Sequence, residues 1–156
     1  MELDEINAIN KEATVITKGV NIQGNINSDE DIILYGKVKG NLTSKLDVKI
    51  YGELEGNVTC VNCYANEASI HGDIRAAAQV ELSCSSVIIG NIKADELVNG
   101  GRIKGNIDVN EKSSLKNASA IVGDIKTGNI EIEKGAIVQG NVMINQDVFF
   151  EEIDKL

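Results

Sequence analysis

Two cysteines, Cys60 and Cys63, stand in the order C-V-N-C, the spacing of half a tetrahedral zinc site or of a redox-active pair. A zinc site needs two further ligands, but Cys84 stands alone and His71, the one histidine, is no obvious partner. A redox pair normally opens a helix, which lowers the pKa of the attacking thiol, and no helical pattern surrounds these residues. We therefore expect small, buried or half-buried thiols and no metal site.

Catalysis has equally little support among the side chains. His71 precedes a repeated glycine where other repeats carry Gln, Lys or Glu, so a solvent-facing histidine is predicted. The nearest enzymatic alternative is the left-handed β-helix of hexapeptide-repeat acyltransferases, whose zinc sites need several imidazoles and whose chemistry needs a histidine base. The sequence contains neither a G-x-x-x-x-G-K-[ST] loop nor a G-x-G-x-x-G turn leading into a helix. We predict a non-enzymatic protein without catalytic residues or cofactor.

The composition restricts the classes of partner. The 156 residues carry a net charge of −9, whereas nucleic acids and anionic membrane surfaces attract clusters of Lys and Arg. The N-terminus, MELDEINAIN, lacks the basic and apolar regions of a secretory signal. The apolar runs are far shorter than the roughly 20 residues that span a bilayer. We expect a cytoplasmic protein that binds no nucleic acid and does not bind membranes directly.

A repeat dominates the rest of the sequence. The phrase YG-K-V-K-GN-L, from Tyr35 to Leu42, returns as YG-E-L-E-GN-V from Tyr51 to Val58. Its glycine recurs every 15 to 18 residues, is followed by Asn or Asp, and has Ile, Val or Leu two positions before and two positions after it. The eight anchors are Gly24, Gly40, Gly56, Gly72, Gly90, Gly105, Gly123 and Gly140. This period is typical of one coil of a solenoid.

The alternation of apolar and polar residues around each anchor indicates strands with one buried face. A second apolar pair, such as Ile32 and Leu34, follows about eight and ten residues after several anchors. The sequence therefore predicts an all-β, single-domain parallel β-helix with three short faces and about eight coils, roughly 40 Å long at ~4.8 Å per coil. We divide the chain into a short acidic N-terminal tail (1–13), the β-helix domain (14–145) and a C-terminal tail (146–156).

The pattern leaves the role of the anchor open. The glycine either forms a bend with positive φ or lies where there is little room for a side chain. The following Asn either tolerates the bend or joins a ladder of like side chains along the axis. Asp73 and Asp124 replace Asn in two repeats, and we expect them to interrupt such a ladder.

The opening TVITKGVNIQGNI, from Thr14 to Ile26, and the succeeding YG-x-V-x-GN coils resemble the bactofilins, bacterial cytoskeletal proteins. The likeness extends to about Ile144. It implies a right-handed β-helix that polymerises end to end into filaments without nucleotide and organises cell-shape, envelope or motility machinery, often at the cell periphery through partner proteins. Two features depart from the family: Val138 stands in GAIVQG where members commonly carry Phe, and the N-terminal tail is short and acidic.

The ends of such a rod are predicted to carry its function. The first and last coils expose unpaired backbone groups over an open apolar core, and uncapped ends can continue into another copy of the chain. The predicted polymerisation residues are Val15, Ile16, Val20 and Ile22 at the N-terminal end, and Val138, Val142, Ile144, Phe149 and Phe150 at the C-terminal end. Phe149 and Phe150 either join the contact or fold back as a cap. The alternative function is a monomeric binding module with capped ends.

Overall fold

A computed structural model describes residues 12–145, and this part of the chain is built entirely from strands and the turns between them. The nineteen strands, in chain order, are β1 (Ala13–Ile16), β2 (Asn21–Gln23), β3 (Ile26–Ser28), β4 (Asp31–Leu34), β5 (Lys37–Lys39), β6 (Leu42–Ser44), β7 (Asp47–Ile50), β8 (Glu53–Glu55), β9 (Val58–Ala65), β10 (Ser69–His71), β11 (Ile74–Leu82), β12 (Val87–Ile89), β13 (Ile92–Asn99), β14 (Arg102–Lys104), β15 (Ile107–Leu115), β16 (Ala120–Val122), β17 (Ile125–Ile132), β18 (Ile137–Gln139) and β19 (Val142–Ile144).

The strands form an eleven-stranded and an eight-stranded sheet in which the described pairings are parallel. The larger sheet bends between two faces of a solenoid. Its first face begins with the strand after each anchor, and its second face carries the next strand, while β9 and the later long strands cover both. The eight-stranded sheet is the third face. The predicted β-helix of about eight coils with three faces is confirmed.

Stacking of equivalent residues builds the core. On the third face Val38, Leu54, Ile70, Ile88 and Ile103 pair successively from coil to coil and are fully buried. Ile, Val and Leu suit these positions because branched side chains pack well on a pleated surface. The inward rows of all three faces meet in one continuous apolar core along the rod.

The anchor glycines need both properties that the sequence left as alternatives. All eight have positive φ, between 136° and 154°. A Cβ at Gly40 or at any later anchor would also overlap the carbonyl oxygen of the anchor one coil earlier. Each coil turns so tightly against its neighbour that backbone occupies the space of a side chain.

The residue after each anchor forms a ladder that runs the length of the rod. The side-chain oxygen of each accepts a hydrogen bond from the backbone N–H of the corresponding residue in the next coil, at 2.8–3.1 Å over seven rungs. The expected interruption at Asp73 and Asp124 is therefore wrong. The ladder requires an acceptor oxygen and takes its donor from the backbone, so a carboxylate serves as well as an amide.

The repeated YG phrase also has a packing explanation. The rings of Tyr35 and Tyr51 stack at the corner between the second and third faces, with centroids 5.0 Å apart. The following glycines, Gly36 and Gly52, lie where a Cβ would collide with backbone of the preceding coil. The YG pair is repeated because Tyr51 stacks on Tyr35 and Gly52 packs against Gly36 of the preceding coil.

Candidate end-to-end interface

The last layer of the rod consists of residues 129–132 of β17 together with β18 and β19. Its inward side chains are Ile130, Ile132, Val138, Val142 and Ile144. Ile132 and Val142 are 48% and 42% exposed, whereas their partners one coil earlier, Leu115 and Ile125, are 1% exposed. The C-terminal end of the described rod therefore exposes the apolar core in cross-section.

Within residues 12–145, the hydrogen bonding between coils also stops at this end. Along the rod, the N–H groups at and two residues after each anchor donate to carbonyls of the next coil, ending with Gly123 to Gln139 and Ile125 to Asn141. The corresponding donors of the last coil are the N–H groups of Gly140 and Val142, and no ninth coil follows them in the described chain. Strand edges of this kind pair readily with another chain.

Charges beside the last layer are compensated by the coil before it. Lys112 Nζ lies 3.0 Å from Glu131 Oε2, and Lys116 Nζ lies 3.8 Å from Glu133 Oε1. The hydrogen bond from Lys112, reinforced by its charge, lowers the pKa of Glu131. The second-face rim of this end therefore adds less repulsion than the chain's net charge suggests.

The first layer, formed by β1, β2 and β3, is less apolar. Its inward positions include Thr14 and Ser28, whose hydroxyl oxygens lie 3.2 Å apart in a hydrogen bond. Ile22 and Ile26 are half-buried and Ile16 is buried. The two ends of the rod thus differ: the N-terminal layer has a polar bridge where the C-terminal layer has Ile130 and Ile144.

The predicted polymerisation residues fall into three groups. Ile16, Ile22, Val138, Val142 and Ile144 point inward within the terminal layers. Val15 projects outward from the second face and Val20 lies at a corner, so neither belongs to the cross-section of the core. Phe149 and Phe150 lie outside the described residues.

Sequence reasoning missed three apolar residues of these layers, Ile26, Ile130 and Ile132. The available signal was the register of the repeat. Ile130 and Ile132 follow the anchor Gly123 by seven and nine residues, much as Ile32 and Leu34 follow Gly24. Assigning every inward position of the first and last repeats, and not only those beside the anchor, would have found them.

The residues that suggested metal or redox chemistry lie in different environments. Cys60 and Cys63 are buried in the core, as expected, whereas Cys84 is exposed. The hydrogen bond with Cys60, together with burial, raises the pKa of Cys63, which opposes formation of the reactive thiolate. His71 is exposed on the third face, as predicted. Residues 12–145 contain no group of three or more His, Cys, Asp or Glu placed to hold a metal ion.

Comparison with known proteins agrees with the architecture. The family model for bactofilins, described as polymer-forming cytoskeletal, matches residues 14–66 and 53–143. The chain belongs to the bactofilin family. Bactofilin BacO of Myxococcus xanthus is 30% identical to this bactofilin over 129 residues, which are 83% of this chain and 77% of that protein. No solved structure gives a significant match.

The family assignment confirms the resemblance seen in Thr14–Ile26 and the following coils, and it identifies a polymer-forming cytoskeletal family. Within the described part of this bactofilin, no helix is long and apolar enough to cross a membrane.

Proposed function

We propose that this chain is a non-enzymatic scaffold protein that assembles end to end into filaments, using the open layers at the two ends of its β-solenoid. The observation that carries the proposal is the last layer, where inward Ile132 and Val142 are exposed and Ile130, Val138 and Ile144 are only half-buried, although the same positions are buried one coil earlier. Removing this surface from water by contact with a second rod is favourable, at about 25 cal/mol per Å² of apolar area.

The contact is assigned to Val138, Val142 and Ile144 at the C-terminal end, joined by Ile130 and Ile132, and to Ile16, Ile22 and Ile26 at the N-terminal end. The proposal extends to Phe149 and Phe150 as members of the C-terminal contact. Assembly needs no nucleotide or metal, because backbone pairing and apolar burial supply the attraction. We place the filaments in the cytoplasm, at the periphery through envelope- or motility-associated proteins, without direct membrane binding.

The test uses purified full-length protein in the presence of a chelator and without nucleotide. We expect filaments by negative-stain microscopy and in sedimentation. Val138→Arg would place an unpaired charge in the contact, and we expect it to leave a soluble rod with an unchanged β spectrum and at least a tenfold loss of pelletable protein. Thr59→Arg adds the same charge at an exposed outward position of the third coil and should leave assembly unchanged.

Two results would contradict the proposal. Filaments of normal length from Val138→Arg would show that assembly does not use this end, and filaments that need ATP, GTP or a divalent ion would contradict the mechanism. Replacing Phe149 and Phe150 by Ser separates the remaining alternatives: assembly falls if they join the contact and rises if they cover the end.

A further inference from the structure

The outward side of the third face carries an uneven distribution of apolar residues. Four large aliphatic side chains, Val87, Ile89, Val122 and Ile137, are 38–56% exposed, and they belong to the fifth, seventh and eighth coils. Concentrated apolar surface of this kind is typical of a contact site and not of a face that is exposed only to water.

Charged residues cross the same face in bands. The second coil presents two lysines, Lys37 and Lys39, the third coil two carboxylates, Glu53 and Glu55, and the sixth coil two cations, Arg102 and Lys104. All three bands are exposed, and the bands of the third and sixth coils lie at equal distances from the middle of the rod, between the fourth and fifth coils. Lys37 in the second coil lies 3.3 Å from Glu53, so part of the acidic band is already compensated within the chain.

Two copies of this face can meet by a two-fold rotation in two ways. If the rods run antiparallel and centre on the gap between the fourth and fifth coils, the third coil of each copy faces the sixth coil of the other. Glu53 then faces Arg102, and Glu55 faces Lys104, twice by symmetry. If the rods run parallel, each coil faces itself, and Glu53 meets Glu55 while Arg102 meets Lys104. The charge pattern favours the antiparallel pair, because like charges across an interface are strongly unfavourable.

We propose that the third face is a lateral contact through which two copies of this chain pair side by side, with their rods antiparallel. The occupant is a second copy because the face is complementary to itself: each acidic band meets a basic band of the partner. In the same contact the alkyl stem of the partner's Lys39 covers Val122. The other exposed aliphatic side chains, Val87, Ile89 and Ile137, face the partner's Ser69, His71 and Asn21.

The size of the face determines when this contact becomes stable. A face about 40 Å long with strands about 10 Å wide offers on the order of 400 Å² per rod, well below the ~800 Å² per partner of a standard stable interface. A single pair of rods is therefore held weakly. Rods joined end to end repeat the contact at a fixed interval, so pairing strengthens with filament length. To this extent the inference builds on the proposed end-to-end assembly.

Zero-length cross-linking tests the contact directly on the unaltered protein. A carbodiimide joins a carboxylate and an amine that touch, forming an amide with loss of water. Within one chain Glu55 and Lys104 are three coils apart, roughly 14 Å, so a link between them reports a neighbouring copy. In an equal mixture of ¹⁵N-labelled and unlabelled chains, we expect about half of the Glu55–Lys104 peptides to contain one chain of each kind. The pair Lys37 and Glu53 serves as the internal positive control.

Charge reversal tests the orientation and the partner. Glu53→Lys with Glu55→Lys makes both bands of the face basic, and Arg102→Glu with Lys104→Glu makes both acidic. We expect either variant alone to form single filaments of normal length, and a mixture of the two to restore paired filaments. Glu81→Lys with Glu96→Lys changes the net charge equally on the second face and should leave pairing unchanged.

The outcomes separate this inference from the proposed function. Absence of the Glu55–Lys104 link while the Lys37–Glu53 link forms, or paired filaments from either reversal variant alone, would overturn the lateral contact. If the unaltered chain forms no filaments, end-to-end assembly fails, but the cross-link still decides whether rods meet through the third face.

Discussion

Ile103 and Val138 occupy the same position of the repeat, one in the middle of the rod and one in its last coil. Ile103 is 2% exposed because coils pack on both sides of it, whereas Val138 is only partly buried. Nothing in the local sequence marks the last coil as different, since both positions are aliphatic and two residues before an anchor glycine. In a solenoid, each coil is buried by its two neighbouring coils. The last coil has the same sequence pattern as a middle coil but only one neighbour, so its inward side chains stay partly exposed.

The largest test of this comparison places the same charge at both positions. Ile103→Arg buries an unpaired guanidinium between two coils and should cost several kcal/mol, enough to unfold a protein of ordinary stability. Val138→Arg should cost less than about 2 kcal/mol, because the long side chain can reach water beyond the last layer. Denaturant unfolding followed by circular dichroism measures both. Equal destabilisation by the two changes would mean that the last layer is as enclosed as the middle.

A smaller difference is expected for the anchor glycines. Gly90 and Gly24 both have positive φ, so alanine is strained at either position. At Gly90 the added Cβ would also overlap the backbone of Gly72, whereas at Gly24 it meets nothing within 4 Å. We expect Gly24→Ala to cost about 1–2 kcal/mol and Gly90→Ala at least about 3 kcal/mol.

Urea unfolding midpoints give this comparison, with an unchanged m-value as the check that both variants remain compact. A Gly90→Ala variant no less stable than Gly24→Ala would show that the coils can separate locally without cost. The close approach of successive anchors would then have no energetic role.

The smallest effect concerns the ladder of side-chain oxygens. Asn57→Ala removes the acceptor for the backbone N–H of Asp73 and should cost about 1 kcal/mol, moderated by the exposure of the bond to water. Asn141→Ala removes the last side chain of the ladder, which has no following rung in the described chain, so the isolated rod should lose almost nothing. Thermal unfolding of the two variants under non-assembling conditions measures the difference. A loss at Asn141 as large as that at Asn57 would mean that these side chains stabilise the bend and not the stack.

Much of the fold could be predicted from the repeat. The anchors, the flanking aliphatic residues and the period of 15 to 18 residues were sufficient for the number of coils and for three parallel faces. The structural character of Cys60 and Cys63 and the exposure of His71 also followed from the sequence. These features depend on local pattern and on composition, which a single chain displays directly.

The errors came from contacts between coils. Asp73 was expected to break the ladder because side-chain identity was considered without the backbone donor that it meets. Val15 is apolar, but alternation along β1 turns it outward from the core, and its part in the end contact stays a prediction. The bridge between Thr14 and Ser28 joins residues fourteen apart on different faces, and only the folded coil brings them together.

The sequence by itself determined that this chain is a repeating all-β rod, since hydrophobic periodicity and glycine spacing encode the coil. The tertiary structure decided which apolar side chains remain uncovered, how the two ends differ, and where charged bands cross the third face. The physical reason is that exposure and complementarity are properties of neighbouring coils. They appear only when residues separated by one or more repeats are stacked at the strand spacing of ~4.8 Å.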